Sequence, residues 1–567
     1  MKEVIVKILK KALKKENLNI SEEEIEKAIE IPKDSPKGDF AFPCFFLQEK
    51  SKQMPHELAL NLRTHIGNPS KEFQDIQIVG PYINFFLDRK SLALELIDSI
   101  KKQKDNFGKF AENKQTIMVE FPSPNTNKPL HLGHLRNMAI GESISRISEF
   151  NGFKVIRANL NNDRGIHICK SMAAYSKFGK NKTPKDANKK PDHFVGEFYV
   201  KFNEKSKQDK NLELLSHRML QKYEEGDKEV LALWKKMNAW ALEGFEKTYE
   251  KFGIKHDKEY FESKIFKKGK EIIFDGLKKG LFKQKKDKAI YVNLGKQLGE
   301  KILLRQDGTS VYITQDIYLA MLRFNEYKLN RLLYVVGNEQ EYHFNVLFEI
   351  LKRLGFESSE MLKHLSYGMV NLPEGKMKSR EGTIVDADDL IEDVQKLVKK
   401  ELEKRYKLSK KELENRSLKI ALSAIKYFLL KVDARKNMLF NPKESVSLEG
   451  DTGPYIQYAY ARASSILKKI KTRPKIKIEN LESSEMSLIK KLSDFPKYVA
   501  KAYDSLNPSV ISNYSYDLAK TFNEFYHACP VIDSKEKEGF RIKLVSSFRQ
   551  VLKNALYLLG IDVLEEM

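Results

Sequence analysis

At 567 residues the chain is too long for one hydrophobic core and implies three or four domains. A net charge of +23, from 101 Lys and Arg against 78 Asp and Glu, calls for a polyanionic partner, either nucleic acid or an acidic membrane surface, although the excess Lys is spread along the whole chain. Three widely spaced cysteines, Cys44, Cys169 and Cys529, exclude a disulfide framework, and no run approaches the ~18 apolar residues of a membrane span.

The chain opens with Met1-Lys-Glu-Val-Ile-Val-Lys-Ile-Leu-Lys-Lys11, an amphipathic helix pattern too densely charged for a signal peptide, so a cytoplasmic protein is expected. A second helical pattern follows, then a strand-like stretch at Gly38-Asp-Phe-Ala-Phe-Pro-Cys-Phe-Phe46. The run Ile76–Leu87 alternates around Gly80-Pro81 and reads as two strands, closed by a helix over 91–103. Residues 1–105 are therefore expected to form a small α+β domain.

A strand at Ile117–Phe121, a helix from about 133 to 150, an Asn151-Gly152 stop and a strand at Lys154–Asn159 make a βαβ unit, the start of a parallel, nucleotide-binding sheet. Ligands on such sheets collect beyond the carboxyl ends of the strands, where Ser123–His134 and Asn159–His167 fall. Residues from about 170 to 260 are polar and largely helical, an insertion between two halves of that fold. The second half resumes near Tyr291, with a hairpin-like pair over Ile302–Ile313 around Asp307-Gly308 and a strand Arg331–Gly337 followed by Glu339, Gln340 and His343. From about 386 strands give way to amphipathic helices, among them Leu418–Val432 and Thr452–Lys471.

The most informative segment is Glu120-Phe-Pro-Ser-Pro-Asn-Thr-Asn-Lys-Pro-Leu-His-Leu-Gly-His-Leu-Arg136. Its Pro and Asn residues interrupt regular structure, and Ile140, Ile144 and Ile147 resume it at helical spacing, which puts His131 and His134 at a helix N-terminus. Free backbone N–H groups and the helix dipole favour an anion there, and the imidazoles add donors to the same phosphates. Gly133 lets a flat adenine approach the backbone. Taken alone, His-x-x-His would read as a surface or zinc-binding pair, but no Cys lies near enough in sequence to complete a metal site.

The string Lys128-Pro-Leu-His-Leu-Gly-His134 resembles the HIGH signature of class I aminoacyl-tRNA synthetases, and the longer form from Glu120 to Asn137 is similar to that of the arginyl-tRNA synthetases. Gly38–Phe42 resembles that family's additional N-terminal domain, which contacts the tRNA elbow, and Gly450-Asp-Thr-Gly-Pro-Tyr-Ile-Gln-Tyr458 resembles its anticodon-binding domain. Gly375-Lys-Met-Lys-Ser-Arg-Glu-Gly382 resembles the KMSKS loop, with Lys376 as its first lysine and Ser379 in place of the second. In the family a lysine just upstream of the HIGH element compensates for that loss, a place held by Lys128.

The resemblance implies a multidomain fold: an α+β N-terminal domain over 1–105, a Rossmann-like α/β catalytic domain with a parallel sheet over 110–385, and an all-α C-terminal bundle over 386–567. It implies ATP-dependent activation of L-arginine and transfer of arginine to tRNA(Arg), with Mg²⁺ accompanying ATP, by a monomer. Lys128, His131, His134 and Lys376 would be catalytic. ATP would be bound by His131, Gly133, His134, Gly337, Glu339, Val370 and Lys376, and arginine by Glu120, Asn125, Tyr312, Asp316 and Gln340. Tyr455, Tyr458, Tyr460 and Tyr503 offer ring faces on which anticodon bases could stack, although most are expected to serve in packing.

Overall fold

The computed structural model describes residues 1–32, 38–373, 385–470, 478 and 480–567. Contacts divide the chain into one unit of Met1–Lys104, Ile470–Ser493 and Glu524–Phe548, and a second of Asp105–Lys469, Asp494–Asn523 and Arg549–Met567.

In the first unit β1 (Phe40–Pro43), β2 (Phe73–Val79) and β3 (Tyr82–Leu87) form an antiparallel sheet in the order β1-β3-β2. Gly80, at φ +59°, makes the expected turn between β2 and β3. The helices Lys2–Lys15 and Pro55–Ile66 lay Ile5, Leu9, Leu58 and Leu62 against Phe42, Ile83 and Phe85, giving the expected α+β core. The strand expected over Gly38–Phe46 is shorter, because after Pro43 the chain turns into a 3₁₀ segment at Phe45–Leu47.

The second unit contains, in chain order, β4 (Thr116–Glu120), β5 (Lys154–Asn161), β6 (Lys258–Phe261), a small antiparallel sheet of β7 (Lys283–Gln284), β8 (Ile290–Asn293) and β9 (Glu300–Leu304), then β10 (Arg331–Gly337) and β11 (Leu362–Tyr367). The main sheet is parallel throughout, in the order β11-β10-β4-β5-β6. Covered strands of this kind read as continuous apolar runs, and Ile117, Met118, Val119, Leu332, Leu333 and Val335 are all buried. Strand order reverses direction between β4 and β10, the switch point at which a doubly wound sheet opens a ligand crevice.

The helix Leu132–Phe150 crosses from β4 to β5 and is buried around most of its circumference. Gly141 permits this packing, since a Cβ there would stand 2.3 Å from the Phe121 ring. The insertion between β5 and β6 is helical as expected, with Ile166–Phe178, Pro191–Lys205, Lys210–Glu225 and Lys228–Phe252.

Two expectations are corrected. The Ile302–Ile313 hairpin reduces to one bridge between Leu304 and Ser310, and its second arm is the start of the helix Tyr312–Tyr327. Ile313, Ile317, Ala320 and Phe324 supply a helical apolar stripe that outweighs the local β-branched and aromatic character. Strands also persist beyond 386, because β12 (Val370–Asn371) pairs in parallel with β13 (Met438–Leu439). The remaining C-terminal elements in the described residues are helical, including Ala387–Arg405, Lys410–Leu430 and Gly453–Lys468. Cys44, Cys169 and Cys529 are free and buried, and burial raises all three thiols, Cys44 and Cys169 to about 12. No helix of the described residues is long and apolar enough to cross a membrane.

Candidate active site

Glu120 closes β4 in register with Tyr334 of β10, so the signature loop begins at the switch point. The loop is fastened to the far end of β5. Pro124 O accepts from the Asn162 amide at 3.0 Å, Asn162 O accepts from the Thr126 amide at 3.2 Å, and the Ser123 amide reaches Asn159 Oδ1 at 3.2 Å. Asn125 pairs with Asn162 through its backbone and stays exposed.

His131 caps the helix Leu132–Phe150. Its Nδ1 accepts from the Gly133 amide at 3.1 Å, and the Nδ1 of His134 accepts from the His131 amide at 3.1 Å. Both Nδ1 atoms are therefore acceptors, which fixes each neutral ring as the Nε2–H tautomer. The rings lie 3.9 Å apart between centroids. Burial, with Lys128 adding to it, holds His131 down to about 4, and burial together with His131 and Lys128 holds His134 well below its usual value. At neutral pH the pair is two uncharged N–H donors. A Cβ on Gly133 would meet His131 Nδ1 at 3.0 Å, so a side chain there would displace the capping ring. The Lys128 ammonium lies 4.9 Å from the centre of the Tyr199 ring, on the insertion helix Pro191–Lys205.

Two backbone strands lean on this signature. The Leu132 amide donates to Val385 O at 2.9 Å and the Ala387 amide to Leu130 O at 3.0 Å, so the chain returning after residue 384 runs antiparallel to the residues around His131. Arg136, fully buried, donates to Gly368 O at 2.6 Å, Ala434 O at 3.0 Å and Lys436 O at 2.9 Å. These bonds hold the helix to the segments that carry β12 and β13. Lys376 and its neighbours in the glycine-bracketed loop lie outside the described residues.

Tyr312 and Asp316 start the helix Tyr312–Tyr327 and share a face. Asp316 Oδ2 meets His343 Nε2 at 2.7 Å. Tyr312 is 64% exposed. Glu120, 5% exposed, is ion-paired with Arg323 of the same helix and accepts from the Ser123 hydroxyl at 3.2 Å. One helix thus ties the two carboxylates together, with Asp316 near its start and Glu120 paired to its Arg323. Gly337 ends β10, and Glu339 and Gln340 follow on an exposed 3₁₀ turn that leads into the helix bearing His343. Val370 sits in β12 beside Met438.

Sequence reading gave no role to Arg323 or Glu262 and named His343 only by position. Glu262 directly follows β6, is 4% exposed, and is pushed by burial up to about 7. The rule that located Gln340, a polar residue just past a parallel strand, would have found it. Asn127 is 1% exposed with neither amide atom hydrogen-bonded among the described residues, and its place in the loop was the only signal. Of the tyrosines offered for RNA, Tyr460 is 2% exposed and Tyr503 stacks on Phe153 at 4.7 Å, so both serve packing.

A family model described as tRNA synthetases class I (R), catalytic domain, matches residues 96–441. Models for an arginyl tRNA synthetase N terminal domain and a DALR anticodon binding domain match 2–87 and 456–567. An arginine–tRNA ligase of Treponema denticola is 46% identical over 561 residues, covering 95% of this chain and 94% of its own. One from Phocaeicola vulgatus is 43% identical over 570 residues, covering 94% of each. The Thermus thermophilus arginyl-tRNA synthetase structure superposes with a TM-score of 0.75 at 24% identity, over all of both chains. The Plasmodium falciparum enzyme gives 0.72 at 22%, over 100% of this chain and 99% of its own.

Proposed function

The chain belongs to the class I arginyl-tRNA synthetases, and we infer from that premise how its residues divide the work of an arginine–tRNA ligase, which activates L-arginine with ATP and charges tRNA(Arg). The observation that carries the reading is the locked tautomer of His131 and His134, which aims two uncharged donors away from the helix end.

The arginine carboxylate is ionised at neutral pH and attacks the α-phosphate of ATP without a general base. A P–O bond forms to the carboxylate, the bond to pyrophosphate breaks, and negative charge grows on the leaving oxygens. His131 and His134 donate to the phosphates as that charge develops, Lys128 and Lys376 neutralise it, and the helix N-terminus adds its dipole. ATP enters with Mg²⁺, and the donors around the signature suit phosphate oxygens rather than the metal, so the phosphates carry the ion. Gly133, Gly337 and Val370 frame adenine, and Glu339 takes the ribose.

Asp316 and Tyr312 receive the guanidinium, while Glu120, Asn125 and Gln340 fix the ammonium and carboxylate of the same arginine. The 2′-OH of the terminal adenosine of tRNA(Arg) then attacks the carbonyl of the adenylate, an ester bond forms, and the acyl–phosphate bond breaks to release AMP. In this reading residues 1–105 meet the tRNA elbow, 110–385 hold the chemistry, with the insertion at about 170–260, and 386–567 read the anticodon. The protein acts in the cytoplasm as a monomer.

The test is ATP- and Mg²⁺-dependent charging of matched total tRNA with each labelled amino acid supplied separately. Arginine alone should be incorporated. Binding of tRNA with no amino acid charged would overturn the reading in favour of an RNA-binding module. The first step is assayed with tRNA present, since enzymes of this family generally require it.

A further inference from the structure

Arg323 stands eleven residues after Tyr312, three helical turns on, so it shares the face that carries Tyr312 and Asp316. It is 0% exposed. Its guanidinium is paired with Glu120, and its Cζ lies 4.8 Å from the centre of the Tyr260 ring and 5.7 Å from that of Tyr334. Beyond this ion pair and the ring faces, the polar group nearest its N–H groups is the Tyr334 hydroxyl, and no well-aligned hydrogen bond satisfies them among the described residues. A buried pair so sparsely satisfied is a weak stabilising device, since an apolar side chain of similar volume would fill the space at less desolvation cost. Its effect on the neighbouring carboxylate is the stronger reason for it.

Two of the five residues assigned to the amino-acid pocket, Glu120 and Asp316, are carboxylates. Arginine carries a cation at each end, so two unmodified carboxylates would accept it in either direction. The pair is not symmetrical, because Glu120 has a protein guanidinium against it, whereas Asp316 meets the His343 imidazole. We propose that Arg323 is a positioning residue that sets the direction of bound arginine: it neutralises Glu120 from behind, so the substrate guanidinium goes to Asp316 and the α-ammonium to the remaining lone pairs of Glu120. The proposal rests on the assignment of Glu120 and Asp316 to the pocket given above.

The experiment measures pyrophosphate exchange in the presence of tRNA for wild type, Glu120→Gln, Arg323→Met, Arg323→Lys and the double variant Glu120→Gln/Arg323→Met. KM for arginine and for ATP is read between pH 6 and 9, with 5-guanidinopentanoate, which lacks the α-ammonium, as a competing ligand. Arg323→Met should raise KM for arginine about tenfold and leave KM for ATP within about twofold, consistent with a loss of roughly 1.4 kcal/mol of selective binding. It should also make the arginine KM depend on pH between 6 and 8, because a buried carboxylate without its cation takes up a proton. The double variant should lose that dependence, and wild type should discriminate against 5-guanidinopentanoate more strongly than Arg323→Met does.

If Arg323→Met fails to fold, Arg323→Lys decides, with an arginine-selective KM rise of about threefold or more expected. An arginine KM within twofold of wild type and a flat pH profile in the folded Arg323 variant would overturn the proposal, as would equal losses for arginine and ATP. Glu120→Gln with an unchanged arginine KM would remove Glu120 from the pocket and the proposal with it. An impaired Glu120→Gln beside a normal Arg323 variant would overturn the proposal alone.

Discussion

The histidine pair shows what a single residue's surroundings do to its chemistry. Because each Nδ1 is engaged by a backbone amide of the same helix end, neither ring can present Nδ1 to ATP, and each offers one N–H. His134→Ala is expected to lower adenylate formation by about 10²–10³-fold, the range for one preorganised donor, while tRNA affinity measured by filter binding stays within about twofold. A comparable loss of tRNA affinity would end that division of labour. The same burial has a stability signature. His131 in the fold is held at about 4 and His134 also lies below its unfolded value. The unfolded chain therefore binds more protons between about 6.5 and 4, so the contribution is complete above 6.5 and is lost as pH falls through that window. Unfolding free energies from urea titrations between pH 7 and 4.5 should fall less steeply for His131→Gln/His134→Gln than for wild type, by about 1–3 kcal/mol over the range. Equal slopes would contradict it. The residue types and their place at a helix end were legible in the sequence. The tautomer was not, because it depends on which amides the rings meet.

At the scale of elements, strand ends and helix starts were readable wherever turn chemistry marked them, as at Pro122–Pro129, Gly80-Pro81 and Asn151-Gly152. The misread hairpin at Ile302–Ile313 shows the opposite case. Val311-Tyr-Ile-Thr favours strand locally, and only the apolar stripe continuing to Phe324 reveals the helix. Contacts distant in sequence left no trace in it, and Arg136 is the clearest example, since its acceptors lie more than two hundred residues away. It joins the signature helix to the segments beside β12 and β13. Arg136→Met is expected to cost about 3 kcal/mol or more in urea denaturation, because several buried carbonyls lose their donor at once. A change below about 1 kcal/mol would mean that water replaces the guanidinium.

Over the whole molecule, composition gave the sign of the partner and little more. A net charge of +23 predicts that tRNA binding releases counter-ions. Affinity for tRNA should fall by more than about tenfold between 50 and 200 mM salt, while the arginine KM for adenylate formation at saturating tRNA changes far less. A flat salt response would mean that the lysines lie away from the RNA. The division into two units was not visible in chain order, because successive segments of the C-terminal region belong alternately to one unit and the other. The three thiols, buried and with raised pKa values, have a practical consequence. Under native conditions they are poor targets for maleimide or iodoacetamide reagents. A pair of surface cysteines introduced into the natural sequence would then carry fluorophores or spin labels by themselves, and the distance between them could be followed in the working enzyme with no cysteine-free background.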